Sequence, residues 1–375
     1  MPSPLLALIA DRIRAHGPMP VAEYVELALY HPGHGYYATA ERRSGRAGDF
    51  MTSVDVGPVF GELLGVQIAE MLDAVGGPAV DLVEAAAGSG RLSRDILDHL
   101  ERASPRQYAA VRLHLVERSG TARASQASTL GRHAALLATS GPSLPRGVRG
   151  VIVANELLDA LPPHLVVMRD GGLREVAIGL GGSALVPVEV EPTTPAIPEY
   201  LHRVGAQLRA GQYAEVNLAA AEWIRQAASA LEEGFLLLLD YGHEAGELYG
   251  DSHPAGTLTT FKRHAVEDRA GGPGWLREPG GRDITSHVDF TGVRLAAESA
   301  GLETLGLVDQ TYFLLALSEG IDPVEAHDER SLGRRLALKT LLLPGGLGST
   351  HKVLVFGRRV GRPRLKGLAA GGRLT

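Results

Sequence analysis

The sequence predicts an α/β protein with a doubly wound, mostly parallel sheet. Apolar runs of strand length alternate with segments of helical periodicity, and this alternation implies right-handed crossovers between parallel strands. The buried strands of such a sheet are apolar throughout, as Phe235–Leu239 is. Each predicted strand is followed closely by an acidic or polar residue. The predicted strands are Val80–Val83, Val111–Val116, Val148–Ala154 and Phe235–Leu239.

The length of 375 residues allows two to three domains or one large domain with insertions. We expect an N-terminal segment of helices and a loop over 1–76 that contributes to the active-site cleft, with helices at 4–14, at 20–30 and from Pro58 to Val75. The core occupies 77–357. It carries a hairpin insertion near 162–195 and a functional loop or lid near 243–287. A basic tail at 358–375 is expected to be solvated and disordered.

Composition excludes several classes of protein. With 37 Lys and Arg against 43 Asp and Glu, the net charge of −6 argues against general attraction to nucleic acid. The absence of cysteine excludes disulfides, thiolate metal sites and a cysteine nucleophile. No apolar run is long enough to span a bilayer, and the N-terminus does not resemble a secretory signal. We therefore expect a cytoplasmic protein without membrane insertion.

The first predicted crossover has the features of a nucleotide site. Gly88 and Gly90 lie between a strand and a helix, where the lack of a Cβ lets backbone approach a ligand. The acid before them, Glu84, suits a cationic ligand better than a pyrophosphate. S-adenosyl-L-methionine carries a sulfonium and an ammonium, so Glu84 would hold its amino-acid end and Glu117 its ribose hydroxyls. A dinucleotide is disfavoured by Ser93 and by the long interval to Glu117.

Several ordered motifs are distributed along most of the chain: Tyr30–Tyr37, Gly48–Thr52, Phe60–Leu63, Glu84–Gly90, Ala154–Pro162, Asp240–His243, Thr285–Phe290 and the stretch 348–354. Together they resemble the MidA-like family of class I S-adenosylmethionine-dependent methyltransferases, which have a Rossmann-like sheet. One departure is Ala86, where the family usually has glycine, and residues 51–55 also differ from the family pattern.

The resemblance implies methylation of an arginine side chain in a protein substrate. Mitochondrial members of the family assist assembly of respiratory complex I, so the partner implied is a respiratory-complex subunit. The sequence leaves the oligomeric state open between monomer and homodimer. Three alternatives stay open: a cofactor-binding assembly chaperone with little catalysis, a small-molecule methyltransferase and a nicotinamide-dependent oxidoreductase.

The acceptor end of the site is predicted at Asn155, Glu156 and Asp159. Glu156 and Asp159 are three residues apart and would share one face of a helical turn. Two carboxylates on one face suit the paired donors of a guanidinium, although they would serve an amine equally well. Alternatively, Asp159 caps the turn before the two prolines that follow.

A loop before the first long helix supplies further candidates. Gly48, Asp49, Phe50 and Thr52 are predicted to contact the cofactor, with Phe50 stacking on adenine or flanking the arginine. An Asx-type turn is the structural alternative.

Histidines complete the candidate residues. His243 is the predicted catalytic proton acceptor, and His287 is a second candidate. For each of these two residues, a structural role as a hydrogen-bonded histidine explains the sequence equally well. His31 and His34 have no third ligand at a recognised spacing, so we expect no metal.

Overall fold

The computed structural model describes residues 3–39, 52–262, 265–266, 273–321, 329–342 and 351–369. Helices and strands alternate through the middle of the chain, as predicted. The helices are α1 (Pro4–His16), α2 (Val21–Tyr30), α3 (Tyr36–Thr39), α4 (Pro58–Val75), α5 (Arg91–Ala103), α6 (Pro105–Ala110), α7 (Gly120–Leu130), α8 (Ala196–Arg203), α9 (Leu218–Ala230), α10 (Ala245–Leu248), α11 (Phe290–Ser299), α12 (Gln310–Leu317), α13 (Glu329–Leu342) and α14 (Lys366–Ala369).

The strands are β1 (Met19–Pro20), β2 (Val80–Ala85), β3 (Val111–Val116), β4 (Leu137–Gly141), β5 (Val148–Asn155), β6 (His164–Arg169), β7 (Gly172–Gly181), β8 (Ala184–Val190), β9 (Tyr213–Val216), β10 (Leu231–His243), β11 (Thr259–Lys262), β12 (Ala265–Val266), β13 (Asp283–Thr285), β14 (Val288–Asp289), β15 (Glu303–Asp309) and β16 (His351–Arg358). Short 3-10 turns occur at Ser53–Val56, Gly131–Leu136, Leu158–Ala160, Gly274–Leu276 and Ser318–Gly320.

The chain divides into two compact units. The insertion unit contains Met1–Met51, Leu158–Trp223 and Gly242–Ala296. The core unit contains Thr52–Leu157, Ile224–Tyr241 and Ala297–Thr375. The domain boundaries that the sequence predicts at residues 76 and 357 stay predictions.

The core unit is built on the predicted parallel sheet. Its strand order is β15-β16-β10-β5-β2-β3-β4. The strands β10, β5, β2, β3 and β4 are parallel, whereas β16 is antiparallel to both of its neighbours. Each residue of Phe235–Leu239 is at most 1% exposed, which explains why this run carries no polar side chain. These observations confirm the predicted doubly wound α/β class.

One apolar cluster joins the central strands to helix α4. It includes Val151, Val153, Leu237 and Leu239 from the sheet and Phe60 from α4, all at most 3% exposed. The helix starts at Pro58, in the first turn, where the missing N–H of proline breaks no helical hydrogen bond. The structure thus confirms the helix predicted from Pro58 to Val75.

The insertion unit contains a five-stranded antiparallel sheet, ordered β1-β7-β6-β9 with β8 paired to β7. The pairing of β6, β7 and β8 confirms the hairpin predicted near 162–195. Helices α1 and α2 supply Ile9 and Tyr24 to the apolar cluster beneath this sheet. The hydroxyl of Tyr24 donates to the Trp275 carbonyl oxygen at 2.8 Å. Both N-terminal helices are confirmed.

The predicted loop or lid near 243–287 contains regular structure, and the predicted disorder of the tail needs correction; the role of 243–287 as a lid stays a prediction. The stretch 243–287 contains α10 and a small sheet ordered β12-β11-β13 within its described part. The predicted disorder of the tail is wrong as far as Ala369. Leu365 and Gly367 are buried there, and Gln67 accepts the Gly367 N–H at 2.8 Å. The neighbouring Arg364 and Lys366 stay exposed, so Leu365 is buried without removing their charges from water. None of the described helices is long and apolar enough to cross a membrane.

Candidate active site

The strand order locates a ligand site within the core unit. From β2 the chain proceeds outward through β3 and β4, and it then returns to β5 on the other side of β2. Such a reversal forms a crevice at the carboxyl ends of the two central strands, which is where open α/β sheets bind ligands. The predicted residues Glu84, Glu117 and Asn155 lie at or directly after the ends of β2, β3 and β5. The sheet therefore brings them to one edge.

The loop after β2 adopts three left-handed backbone conformations. Ala86, Gly88 and Gly90 have φ angles of 56°, 52° and 84°. Gly90 also lies close to β3, since an added Cβ would be 3.0 Å from Leu115 Cδ1. The conformation at Ala86 costs about 1–2 kcal/mol for a residue with a Cβ. The sequence indicated that alanine does not enter positive φ freely, yet the fold places it there.

Glu117 fixes this loop from the neighbouring strand. Its Oε2 accepts the Gly88 N–H at 2.9 Å, and its Oε1 accepts the Ser119 N–H at 2.7 Å. The side chain of Gln126 donates to the Gly88 carbonyl oxygen at 2.9 Å. The Gly88 residue is thus held through both its N–H and its carbonyl group. Each carboxylate oxygen keeps capacity for another hydrogen bond, because a carboxylate offers about four lone-pair sites.

Gln126 is a site residue that the sequence reasoning missed. It lies in the middle of α7 and is 0% exposed. Its Oε1 accepts from the Ser140 hydroxyl at 2.6 Å, which leaves its amide nitrogen directed at Gly88. A glutamine within a helix has no distinguishing spacing, so only the tertiary structure identifies this role.

Glu84 lies deeper than Glu117. It is 5% exposed, and its Oε2 accepts hydrogen bonds from the Ser93 N–H at 3.0 Å and from the Ser93 hydroxyl. Burial raises the pKa of Glu84 from 4.5 to about 7, although the Ser93 hydrogen bonds act in the opposite direction. The carboxylate of Glu84 is therefore a fixed part of the connection between β2 and α5.

Asn155 and Glu156 follow the end of β5. Glu156 has a left-handed φ of 50°, and its N–H donates to the Leu239 carbonyl oxygen at 2.8 Å. Glu156 Oε1 accepts from the Ser53 N–H at 3.1 Å and from the Asn155 side-chain amide at 3.3 Å. Among the described residues, the buried Oδ1 of Asn155 has no hydrogen-bond partner. An orphaned acceptor at this position fits a ligand that carries a donor, such as an ammonium group.

Asp240 is a second residue missed at this edge. It is 1% exposed, and its Oδ2 accepts the Leu157 N–H at 3.1 Å. It therefore connects the end of β10 to the segment after Glu156. In the sequence, Asp240 stands out only as the first residue of a segment that matches the family, with no role assigned to it.

The predicted helical face shared by Glu156 and Asp159 is wrong. The helical turn spans only Leu158–Ala160, and Glu156 lies before it with a positive φ that is not helical. Asp159 Oδ2 instead accepts from the Thr285 hydroxyl at 2.8 Å, and its carbonyl oxygen accepts the Ser286 N–H at 3.1 Å. A catalytic role for Asp159 stays a prediction.

The predicted loop residues are only partly visible. Gly48, Asp49 and Phe50 lie outside the described residues. Thr52 caps the Ser53–Val56 turn in a reciprocal capping box with Asp55. Asp55 also forms an ion pair with Arg91 at 2.9 Å. Contact between Thr52 and the cofactor stays a prediction.

The histidine candidates lie in the insertion unit. The Nδ1 of His243 is 2.9 Å from Glu247 Oε1, and its ring is 5.2 Å from that of His287. Burial and the neighbouring histidines lower the pKa of His287 to about 4. By contrast, Nδ1 of His31 accepts the Gly33 and His34 N–H groups at 3.2 and 3.1 Å, which is a local turn. A proton-accepting role for His243 stays a prediction.

The chain is similar to known proteins both in sequence and in structure. A family model of S-adenosyl-L-methionine-dependent methyltransferases matches residues 63–308. The mitochondrial protein arginine methyltransferase NDUFAF7 homolog of Drosophila melanogaster is 32% identical over 335 residues, covering 81% of this chain and 72% of that protein. Mitochondrial NDUFAF7 of Mus musculus is 28% identical over 381 residues, covering 95% and 80%.

These relatives correct the expected location. Each of the two is a mitochondrial protein. The cytoplasmic location predicted from composition and the N-terminus is therefore wrong. Net charge and composition do not distinguish one compartment from another.

A solved structure is similar along nearly the whole chain. It is a COG1565 superfamily member from Burkholderia thailandensis, bound to S-adenosyl-homocysteine, with a TM-score of 0.85 and 29% sequence identity. The match covers 98% of this chain and 97% of that one. The loop with Gly88 and Gly90, the acids at the strand ends and the unpartnered Asn155 oxygen fit a nucleoside of the same class as S-adenosyl-homocysteine. The chain belongs to the family of S-adenosyl-L-methionine-dependent methyltransferases, and S-adenosyl-L-methionine is its cofactor.

Proposed function

We propose that this methyltransferase transfers methyl groups to the guanidinium of an arginine side chain in a protein. The observation that carries the proposal is the fixed carboxylate of Glu156 next to the cofactor edge of the sheet. The names of the relatives support it, since both are protein arginine methyltransferases.

The cofactor would be held by residues of the core unit. Glu117 would accept hydrogen bonds from the ribose hydroxyls, and the backbone at Gly88 and Gly90 would leave space for the nucleoside. The buried Asn155 Oδ1, which has no partner among the described residues, would accept from the ammonium group. Glu84 would support the loop from beneath through its hydrogen bonds to Ser93 at the start of α5. The bound cofactor supplies a methyl group on a positively charged sulfur.

Glu156 would orient the acceptor and take up its proton. A carboxylate forms charge-assisted, bidentate hydrogen bonds with a guanidinium, and this fixes the plane of the attacking nitrogen. The nitrogen gains a bond to the methyl carbon as the carbon–sulfur bond breaks. It must then lose one proton, and Glu156 is the acceptor in this proposal. Positioning of this kind supplies up to about 7–11 kcal/mol of a barrier in favourable systems.

The left-handed backbone of Glu156 supports a functional role for this residue. Strained backbone of this kind persists where the surroundings determine it, and it concentrates at functional sites. Here the Glu156 N–H is held by Leu239 and its carboxylate by Ser53. A glutamate in this conformation presents its side chain differently from one in a regular helical turn.

The test combines transfer of a labelled methyl group with identification of the modified residue. Mitochondrial extract and purified respiratory-complex subunits are incubated with the enzyme and labelled S-adenosyl-L-methionine, and the products are analysed by mass spectrometry. We expect methylarginine in one or a few proteins, and respiratory-complex subunits are the first substrates to examine. Label found only in small molecules, or only in lysine, would contradict the proposal.

The matched variants are Glu156→Gln and Glu232→Gln, the latter at an exposed acid of the core unit. We expect Glu156→Gln to lower kcat by about 100-fold, because a positioned acid–base group contributes about 10²–10⁴-fold. Cofactor affinity should change less than about threefold, and Glu232→Gln should be unaffected. Full biological complementation by Glu156→Gln would instead support the assembly chaperone.

A further inference from the structure

Three histidines outside the cofactor edge come together in the insertion unit. His243 is the last residue of β10, His253 follows α10, and His287 directly precedes β14. Their ring centroids are separated by 4.9, 5.2 and 5.6 Å. One nitrogen from each ring lies within 4.8 Å of the corresponding nitrogens of the others. All three side chains are partly exposed, so a solvated ion can reach them.

The backbone is built to keep His243 and His287 close. Strand β14 pairs in parallel with the end of β10, with Gly242 opposite Val288. A Cβ added at Gly242 would lie 2.1 Å from the Val288 carbonyl oxygen, so only glycine permits this approach. His243 and His287 flank this contact.

A second network holds Thr257 and Leu258, which follow His253 in the chain, next to His287. The His287 N–H donates to the Thr257 hydroxyl oxygen at 3.0 Å. The buried carboxylate of Glu215 accepts the Thr257 and Leu258 N–H groups, both at 2.8 Å. The loop that carries His253 is thereby connected to His287, directly before β14. Three separate segments are therefore held so that their imidazoles converge.

The surroundings of His243 resemble those of a metal ligand. Its Nδ1 lies 2.9 Å from a carboxylate oxygen of Glu247. Histidines that bind metals commonly use one ring nitrogen for the metal and the other for a carboxylate or carbonyl, which orients the ring. In the same way, Nδ1 of His253 is 3.1 Å from the Ser252 hydroxyl. Coordination by both residues would use Nε2.

We propose that His243, His253 and His287 bind one divalent transition-metal ion of the zinc class. Zinc–nitrogen bonds of about 2.0–2.1 Å place the nitrogens of a tetrahedral site about 3.3 Å apart. The ligand nitrogens here lie within 4.8 Å of one another, so each distance between two nitrogens must shorten by at most about 1.5 Å. Partly exposed side chains on loop and strand ends can rotate that far. Imidazole ligands suit zinc, copper, nickel and iron, and three protein ligands leave one position for water or Glu247.

A second cluster in the described chain provides a contrast. Asp98, Glu101 and His133 also lie within 4.8 Å of one another. Arg132 forms ion pairs with both of these carboxylates, and Tyr108 and Asp98 occupy the two ring nitrogens of His133. A cation is therefore already in place there. In the histidine cluster, by contrast, all three candidate ligands are imidazoles.

Metal binding changes the assignment of His243. Coordination and proton acceptance would use the same nitrogen, Nε2, because Nδ1 is engaged by Glu247. A metal-bound His243 is not a general base. The proposal therefore leaves Glu156 as the proton acceptor, and it departs from the expectation that the chain binds no metal.

The test is titration of the chelator-treated, tag-free full chain with Co²⁺, followed by visible absorption, and with Zn²⁺ by calorimetry. We expect one equivalent of metal and the intense absorption bands of a four-coordinate Co²⁺ site. His253→Gln and His287→Gln should each weaken binding by at least about 100-fold, and Glu247→Gln by about 10-fold. His202→Gln, at an exposed histidine of the same unit, should bind as the parent does.

The contradicting results are distinct from failure of the methyltransferase proposal, because metal binding is read without any activity measurement. Binding of less than a tenth of an equivalent at millimolar Co²⁺ would overturn the site. So would one equivalent whose affinity is unchanged in His253→Gln, since the ion would then bind elsewhere. If His287→Gln fails to fold, His253→Gln, in a surface segment, decides the question alone.

Discussion

Glu84 and Glu117 are glutamates at the ends of neighbouring parallel strands, yet their surroundings differ. Glu84 is 5% exposed and bonds to Ser93 at the start of α5. Glu117 is partly exposed and bonds to the Gly88 N–H of the cofactor loop. The pKa of Glu84 rises to about 7 because of burial.

The comparison indicates that burial decides which partners each of these two glutamates can bind. A buried carboxylate is costly to ionise and serves the fold best when it accepts hydrogen bonds from its own chain. A carboxylate at the rim keeps free lone pairs for a ligand. We infer that Glu117 contacts the cofactor directly and that Glu84 supports the loop from beneath.

The largest expected effect concerns the stability of the folded chain. The folded state holds the Glu84 proton up to about pH 7, whereas the unfolded chain releases it near 4.5. Between these values the folded state binds more protons, so the free energy of unfolding falls as pH rises. The loss amounts to about 3 kcal/mol by pH 8.

Glu84→Gln should remove this dependence, and denaturant unfolding of both proteins from pH 4.5 to 8 measures it. Ser93→Ala provides a second test, because it removes hydrogen bonds that favour the ionised form of Glu84. The pKa of Glu84 in the folded state should then rise, so the loss of stability should extend to a higher pH. Parallel pH profiles for the parent and Glu84→Gln would show that Glu84 is not the buried, protonated group described above.

The next effect is on cofactor affinity. Glu117→Gln should weaken binding of S-adenosyl-L-homocysteine by about 30-fold, or about 2 kcal/mol, because it loses a charge-assisted hydrogen bond. Glu84→Gln should change the affinity less than about threefold at pH 8. Calorimetry on both variants gives the comparison. Equal losses of cofactor affinity in the two variants would contradict the distinction between Glu117, which contacts the cofactor, and Glu84, which supports the loop.

The smallest expected effect is on the free energy of unfolding, and it concerns the loop of residues 86–90 that follows β2. Ala86 has a φ of 56°, so Ala86→Gly should raise the free energy of unfolding by about 0.5–1 kcal/mol. The neighbouring Ala87 has no positive φ, and Ala87→Gly should lower it by a similar amount. Thermal unfolding of the pair provides the measurement. Destabilisation by both variants would mean that the left-handed conformation at Ala86 carries no strain.

The fold was predictable because its signals are local. The apolar run Phe235–Leu239 and the strand–glycine–helix pattern around Gly88 each indicate one element, and their order implies a parallel sheet. The tail was not predictable, since the burial of Leu365 depends on a surface formed by distant segments. Basic residues around it obscured that apolar contact.

The site was predictable where chemistry follows directly after a strand. Glu117 and Asn155 could be located in this way, because the ends of parallel strands share an edge. Gln126 could not, since nothing in its spacing distinguishes it from other helical glutamines. The geometry of Glu156 was also hidden, because its positive φ is imposed by hydrogen bonds to Leu239 and Ser53.

The most direct measurement is a crystal structure of the chain with S-adenosyl-L-homocysteine. The account predicts the nucleoside above residues 86–90, with the ribose hydroxyls within hydrogen-bond distance of the Glu117 carboxylate. The amino group should lie near Asn155 Oδ1. A nucleoside bound elsewhere, or a ribose without contact to Glu117, would contradict the account.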